Sequence, residues 1–315
     1  MNNLSNFLNS TKHLPEPIQA GNIEQYLANQ YTQDALLRLQ GSTADNLYTT
    51  PSPSSYPSVF PIVKDATNIP MQFGPSFTIG GIEFRSPFQY YYFMKAHIFG
   101  DTETAKKIIG NDEGYWGPDW RDLQKIASHV KGFNNAIWKK CHIRIAYEAC
   151  KYKILNDQYA LRDLLSTYGQ CLSWYMPNEP IWGYVNCGED WHDINNIHGE
   201  NRMGNVLNLL RDDIIAVLEN NWEWEQQDVP GIVLEEYQYE KLSHKHYFYS
   251  YDICSVEING YIYIMNKFSF LDRLKFERRE DGKYNMVKME TAFASRLGTL
   301  GVPSVIHEAL SNREL

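Results

Sequence analysis

Cysteine is scarce in this sequence, and long apolar runs are missing. Only five cysteines occur in 315 residues, and none belongs to a Cys-x-x-Cys pair. This usage does not indicate a disulfide framework or a zinc ribbon, so we expect a reducing, cytoplasmic environment. No apolar stretch is long enough to cross a bilayer, and residues 1–17 lack the basic start and apolar run of a signal peptide. We therefore expect neither a membrane protein nor a secreted one.

Positive charge is also in short supply. The chain has 29 Lys and Arg residues against 38 Asp and Glu residues, a formal net charge of −9. This balance disfavours general binding of nucleic acid or anionic membranes. The sequence also lacks a glycine-rich phosphate loop, a Gly-x-Ser-x-Gly elbow and a Cys/His nucleophile arrangement. The absence of these motifs argues against the enzyme classes that they identify. We also expect no cofactor.

Hydrophobic residues make up 43% of the chain, which is ample for a core and favours a folded protein of one or two domains. Residues 1–50 are polar, and the Pro/Ser-rich stretch that follows, Thr49–Pro61, is typical of an extended linker. We interpret residues 1–60 as an extended N-terminal arm.

Residues 61–222 are predicted to form a mainly helical domain. Gly80-Gly81, between two short β-type runs, indicates a hairpin. From Pro87 the apolar period becomes helical, starting with Phe88, Tyr91, Tyr92, Lys95, Ile98 and Phe99. The clearest stripe comes later in the chain, at Met203, Val206, Leu207, Leu210, Ile214, Val217 and Leu218.

Residues 231–315 change in character. The stretch from His246 to Phe270 is rich in aromatic and β-branched residues, with Asn259-Gly260 as a hairpin signal and Asp281-Gly282 as a second one. We predict a small β-rich appendage followed by a helical tail. The fold class is therefore α+β: a mainly helical domain with an extended N-terminal arm and a β-rich C-terminal appendage.

Two motifs in the helical domain carry polar groups suited to a ligand. Glu200, Asn201 and Arg202 precede the best helix, and a helix start with an arginine beside it suits a phosphate or carboxylate. An ordinary helix cap accounts for the same pattern. Glu179 stands three residues before Trp182-Gly183, and a carboxylate beside an aromatic wall stabilises an oxocarbenium ion or activates water. A surface acid is the alternative.

A metal site is not predicted. Cys187, His192 and His198 lie close in sequence, with Asp190 and Asp193 nearby, but their spacing matches no established zinc pattern.

Taken together, these motifs resemble the NADAR superfamily, named for NAD and ADP-ribose. The resemblance covers roughly Phe73–Leu218. It rests on the segments Phe73–Ile108, Val130–Ile154, Leu161–Gly169, Ile181–Val185 and His198–Ile214. It implies a compact, mainly helical fold and N-glycosidase activity on early riboflavin-pathway intermediates or ADP-ribosylated nucleobases. The positions that it retains as scaffold or candidate substrate-binding residues are Trp138, Lys153, Trp182, Gly183, Glu200, Asn201 and Arg202, with Gly199 and Gly204 as further scaffold positions.

The sequence departs from the family pattern where the chemistry is expected. The family carries Ser-x-Glu at its first helix, whereas this chain has Ser86-Pro87-Phe88, and phenylalanine cannot exchange a proton. An arginine of the family falls on His142. The resemblance leaves Glu179 as the candidate catalytic residue, with Glu83 or Glu200 as substitutes for the acid missing at Phe88.

Three functions follow as hypotheses. The first is a catalytically degenerate NADAR-fold protein that binds other subunits through its arm and appendage, as in multi-subunit assemblies including virus particles. It would be cytoplasmic, or virion-associated if the assembly is viral. The second is an N-glycoside hydrolase acting on ADP-ribosylated nucleobases or ribosylaminopyrimidines. The third is a binder of ADP-ribose or NAD without turnover.

Overall fold

The structure is a computed structural model that describes residues 63–65, 75–110, 119–176, 179–183, 185–186, 197–221, 223–229, 231–243, 247–248, 253–266 and 269–292. The chain divides into two compact units. Among the described residues, a helical unit contains 63–160 and 169–213, and a sheet unit contains 161–168 and 214–292. The predicted arm, residues 1–60, and the predicted helical tail lie outside the described residues.

Seven α-helices are present in the described part of the chain, which confirms the predicted α+β class. They are α1 (Pro87–Ile98), α2 (Thr102–Ile109), α3 (Trp120–Ala127), α4 (Asn135–Asn156), α5 (Gln158–Leu165), α6 (Arg202–Ala216) and α7 (Glu236–Ser243). A π-helical turn at Val217–Asn221 follows α6. None of these helices is both long enough and apolar enough to cross a bilayer.

The entry to α1 is built as the sequence predicts. Strands β2 (Phe77–Ile79) and β3 (Ile82–Phe84) pair in an antiparallel hairpin. Gly80 and Gly81 connect them with φ angles of 58° and 79°, values that glycine adopts without strain. Ser86 then caps α1 by accepting a hydrogen bond from the backbone N–H of Gln89, and proline at the first helical position needs no such partner.

Helix α4 is the central element of the helical unit. Every side chain from Cys141 to Ile154 is buried, including several charged ones. Burial of charge is tolerated where it is paired, and Lys151 lies 3.3 Å from Glu148 in one such ion pair. The core cluster around α4 draws aromatic residues from the β2–β3 hairpin and α1, among them Phe77, Phe84 and Tyr90. This core fixes α1 against α4, and the candidate site lies along the same two helices.

Short strands complete the helical unit. Strand β1 (Val63–Asp65) pairs in parallel with β4 (Cys171–Ser173), and β5 (Val185–Asn186) pairs antiparallel with β6 (Ile197–His198).

The sheet unit confirms the predicted β-rich appendage. Its strands are β7 (Trp224–Gln226), β8 (Val233–Leu234), β9 (Tyr247–Phe248), β10 (Ile253–Ile258), β11 (Tyr261–Asn266), β12 (Ser269–Arg278) and β13 (Tyr284–Ala292). They form one antiparallel sheet in the order β7-β13-β12-β11-β10-β9, with β8 also on β13. Asn259 and Gly260 form the β10–β11 turn with φ angles of 52° and 75°, as the Asn-Gly signal predicts.

One hydrophobic cluster of the sheet unit lies on one face of the sheet. It contains Ile262, Ile264, Leu274 and Met286, and α7 contributes Leu242. The sequence did not predict α7, because its eight residues carry few apolar positions and lie within a β-rich region.

Candidate functional site

A cavity of about 440 Å³ opens in the helical unit, a size that suits a small-molecule ligand. Its walls come from α1, α3, α4, the turn at residues 179–183 and the start of α6. The side chains that decide its chemistry are Phe88, Tyr91, Trp138, Glu179, Trp182 and Arg202.

Several aromatic rings line the cavity. The ring of Tyr91 lies 5.2 Å, centroid to centroid, from Trp138 and the same distance from Trp182, edge to face in both cases. The imidazole of His142 lies 5.7 Å from Trp182, at 88° to it. Such a wall is suited to a flat ring that stacks on or abuts these side chains.

Four side chains of the cavity lining form a hydrogen-bonded chain. Arg202 Nε donates to Glu200 Oε2 at 2.5 Å. Arg202 Nη1 lies 3.3 Å from His142 Nε2, and His142 Nδ1 lies 3.5 Å from Tyr91 Oη. Burial, together with the smaller effect of the charges of Arg202 and Lys139, lowers the pKa of His142 to about 3. His142 is therefore a neutral imidazole at physiological pH.

Glu179 is positioned by its own backbone. Its N–H donates to the carbonyl oxygen of Met176 at 3.0 Å, and its carbonyl oxygen accepts from the N–H of Gly183 at 2.9 Å. Tyr92 lines the same cavity as Glu179; burial raises the pKa of Tyr92, and the negative charge of Glu179 raises it as well. Within the described residues, no Lys, Arg or His forms an ion pair with Glu179. The carboxylate thus reaches the cavity without a cation bound to it.

Phe88 lines the cavity without closing it. The side chain is partly buried and packs against the aromatic core, and the open volume remains beside it. Glu83, the other acid considered for the role missing at Phe88, is exposed and hydrogen-bonds to Ser76. It is not part of the cavity lining, whereas Glu200 is.

Comparison with known proteins shows the family of the domain that contains this cavity. A model of the NADAR domain matches residues 54–215, just over half of the chain. This chain belongs to the NADAR domain family. The matched range includes every residue of the cavity wall and ends before the first strand of the large sheet.

Among solved structures, the chain is similar to the NMR structure of the E. coli protein YbiA. The two share 15% sequence identity over 51% of this chain and 90% of YbiA, with a TM-score of 0.39. No curated protein matches the chain.

Of the residues predicted for the site, the NADAR domain brings five together. Glu179, Trp138, Trp182, Glu200 and Arg202 all line the cavity. They come from three separate stretches of chain, which meet because the turn at residues 179–183 packs against the start of α6.

The start of α6 is not an open anion site, which corrects one expectation. The four backbone N–H groups of residues 200–203 donate to the four carbonyl oxygens of residues 180–183, at N···O distances of 2.7–3.3 Å. The donors that a phosphate would need are therefore already used within the fold. These bonds instead attach the turn that carries Glu179 and Trp182 to the helix.

Asn201 is structural, which corrects its prediction as a substrate-binding residue. Its side chain is buried, with Oδ1 accepting from the N–H of Trp174 at 2.9 Å and Nδ2 donating to the carbonyl oxygen of Leu172 at 3.0 Å. Its φ of 46° lies in the left-handed region, which asparagine tolerates better than most residues. Asn201 thus binds the chain beside β4 rather than a ligand.

Gly183 and Lys153 also lie outside the cavity lining. A Cβ at Gly183 would lie 2.5 Å from the Cβ of Met176, so glycine is required there by close packing. Lys153 is fully buried, and its Nζ lies 3.0 Å from Asp157 Oδ2 and 3.3 Å from the carbonyl oxygen of Pro75. Both residues hold the NADAR fold together, and neither is placed to touch a ligand in this cavity.

Sequence reasoning missed Tyr91 and Lys95 as site residues. With Phe88 and Tyr92 they occupy one face of α1, at spacings of three and four residues, and this face lines the cavity at the edge of the core cluster. The sequence feature that could have identified this face is Lys95, because a lysine within an apolar stripe indicates that the stripe borders solvent. Its Nζ lies 4.5 Å from the centre of the Phe133 ring, and burial lowers its pKa.

No metal centre is found within the described residues, where no three His, Cys, Asp or Glu side chains converge. Most of the group considered from sequence, including Cys187 and His192, lies outside them.

Proposed function

We propose that the cavity binds a planar heterocycle linked to ribose, of the ADP-ribosylated nucleobase or ribosylaminopyrimidine type, and hydrolyses the bond between ribose and nitrogen. The observation that carries the proposal is an open, aromatic-walled cavity with the Glu179 carboxylate at its wall and Phe88 beside the open space rather than in it. Membership of the NADAR family supports the same class of chemistry.

The cavity has the parts that this reaction needs. Breaking the bond between ribose and nitrogen develops positive charge on the anomeric carbon, which a carboxylate and electron-rich ring faces stabilise. Glu179 accepts a proton from water as the water oxygen bonds to the anomeric carbon. The carbon–nitrogen bond breaks, and the proton leaves with the nitrogen as an amine. Glu200 is less suited to this role, because Arg202 neutralises it.

A turnover assay tests the proposal directly. Purified protein is incubated with an ADP-ribosylated nucleoside and with a ribosylaminopyrimidine phosphate, and free ADP-ribose or ribose phosphate is quantified by chromatography. We expect Glu179→Gln to lower the rate by about 100-fold or more, the usual loss when a proton-transfer group is removed. Glu83→Gln is the matched control, since that glutamate is exposed and outside the cavity. Equal rates for wild type and Glu179→Gln would reject Glu179 as the catalytic group.

Binding without turnover is the second candidate function. Phe88, at the position where the resemblance expects an acid, favours it, because a phenylalanine wall contributes packing but no proton. Calorimetry with ADP-ribose tests this function: heat of binding that is lost in Trp182→Ala, with no product formed, supports a binder. Absence of heat at millimolar ADP-ribose would exclude it for this ligand.

The assembly role remains a prediction. Residues 1–60, which it needs as an arm, lie outside the described residues. Capture of a defined partner by the full chain, lost on deletion of residues 1–60, is the result that would support it. A protein that stays monomeric and captures nothing would count against it.

A further inference from the structure

The groups around the Tyr91 hydroxyl determine the direction in which its O–H points. Arginine only donates hydrogen bonds, so the His142 Nε2 that faces Arg202 at 3.3 Å is an acceptor. A neutral imidazole carries one N–H, which therefore sits on Nδ1 and points to Tyr91 Oη at 3.5 Å. His142 thus donates to Tyr91 and does not receive its proton.

Trp138 packs edge to face on the ring of Tyr91, with the two centroids 5.2 Å apart. Because the phenolic oxygen of Tyr91 accepts from His142, its own O–H does not point at that nitrogen. No acceptor for this proton is found among the described residues, and Tyr91 lines the cavity. The free donor therefore faces the ligand space.

We propose that Tyr91 reads the ring of the ligand, donating a hydrogen bond to a carbonyl oxygen or unprotonated ring nitrogen, and that His142 is the positioning residue that orients it. This inference rests on the proposed function, since it requires that a heterocycle occupies the cavity. It assigns one edge of the bound ring: the group that faces Tyr91 is a hydrogen-bond acceptor rather than a C–H or N–H.

The protonation states agree with this arrangement. Burial raises the pKa of Tyr91 well above its ordinary value, so the hydroxyl stays protonated. The low pKa of His142 keeps the imidazole neutral. Neither group changes charge near neutral pH, so the pair serves recognition rather than proton transfer.

Two nucleosides form a probe pair for the test. Inosine carries a carbonyl and ring-nitrogen acceptors, and indole riboside has a flat bicyclic ring of similar size without them. Dissociation constants are measured by calorimetry for wild type and Tyr91→Phe. We expect Tyr91→Phe to weaken the binding of inosine about tenfold, the loss typical of a buried acceptor left unpaired. The dissociation constant for indole riboside should stay within about twofold of the wild-type value.

Variants of His142 separate positioning from packing. In His142→Gln, the amide oxygen accepts from Arg202 and the amide N–H donates to Tyr91, so inosine binding is retained. His142→Leu removes both bonds, and we expect it to weaken inosine as Tyr91→Phe does. In the Tyr91→Phe background, the difference in inosine affinity between the Gln and Leu variants at position 142 disappears, because the hydroxyl that His142 orients is gone.

The outcomes distinguish this inference from the function on which it rests. Wild type that binds inosine while Tyr91→Phe binds it equally well overturns the role of Tyr91 and leaves the proposed cavity function standing. A Tyr91→Phe loss that is equal for both nucleosides also overturns it, because that result means packing alone. Wild type that binds neither nucleoside overturns the role of Tyr91, whereas the proposed function is decided separately by the turnover assay.

Discussion

Gly204 and Asn201 pack so closely that a Cβ on residue 204 would lie 2.5 Å from both terminal atoms of the Asn201 side-chain amide, and 2.5 Å from the carbonyl oxygen of Leu172. These are the atoms that join the start of α6 to the chain at β4. The absence of a side chain at position 204 is therefore a condition for the turn that carries Trp182 and Glu179.

Gly204→Ala is expected to lower the free energy of unfolding by about 1–3 kcal/mol, the usual cost of forcing extra volume into a packed site. It should also weaken any cavity ligand, because the displaced Asn201 amide shifts the adjoining turn. Gly231→Ala is the control, since its added Cβ meets nothing within 4 Å. Thermal unfolding of the two variants measures the effect, and equal melting temperatures would contradict it.

Phe88→Glu is expected to raise turnover of an N-ribosyl substrate by about 100-fold, the lower end of what a positioned acid or base contributes. The physical reason is that position 88 lines the cavity, so a carboxyl group there can protonate a leaving nitrogen. Phe88→Gln separates the proton-transfer effect from the change in polarity. If the Glu and Gln variants turn over at the same rate, position 88 does not face the reacting bond.

Asp101 joins α2 to the segment before α4. Its carboxylate accepts from Thr104 N and Oγ1 and from Lys131 N, at 2.7–3.1 Å. Burial acts to raise its pKa, but these bonds outweigh burial and hold the pKa at about 2. The folded state thus gains stability above the ordinary value of 3.8, and this gain is lost as pH falls through about 2.

Asp101→Ala is accordingly expected to cost about 1–2 kcal/mol of unfolding free energy at neutral pH, as for other lost helix caps. Asp101→Asn should cost less, because it keeps an acceptor for the Thr104 N–H. Urea unfolding of the three proteins at pH 7 gives the order. An alanine variant as stable as wild type would show that these bonds add nothing.

His142 predicts a pH dependence of stability. Its pKa is about 3 in the folded protein, mainly through burial, against 6.5 ordinarily. Between these values the unfolded chain binds a proton that the folded chain does not, so stability falls as pH drops below 6.5 and is fully present above it. At pH 5 the loss is about 2 kcal/mol relative to pH 7.5.

His142→Gln removes that titration. Urea unfolding of wild type and the variant at pH 5, 6 and 7.5 should show the stability difference moving toward the variant as the pH falls. Comparison with the variant cancels the contributions of the other histidines. Parallel pH profiles for the two proteins would mean that His142 is protonated as readily in the folded state as in the unfolded one.

Local signals in the sequence predicted the elements well. Gly80-Gly81 and Asn259-Gly260 predicted their hairpins, because type I′ turns need positive φ angles that few residues accept. Pro87 predicted the start of α1 for a similarly local reason. The residues of the predicted α1 stripe do share one face of the helix. The sequence could not show that this face borders the cavity, since the core face of the same helix, with Tyr90, Phe93 and Met94, is equally apolar.

Site roles were predicted less well, because they depend on distant chain. The sequence indicates a substrate-binding cation at Lys153, but in the structure Asp157 and the carbonyl group of Pro75 bind this side chain in the core. The sequence indicates an anion-binding helix start at Asn201, but in the structure the side-chain amide is hydrogen-bonded to Leu172 and Trp174. In both cases a polar group is used by the fold, and the partner lies up to 78 residues away in sequence.

The sequence by itself determined the α+β class, the main hairpins and helices, and the resemblance to the NADAR family, because these follow from local backbone preferences and from residue order. Only the tertiary structure decided which polar groups face the cavity. Packing of the turn at residues 179–183 on the start of α6 uses four backbone donors and leaves Glu179, Trp182 and Arg202 at the wall. Hydrogen bonds between distant segments are set by the packing of the whole unit, so no local pattern reveals which donors remain for a ligand.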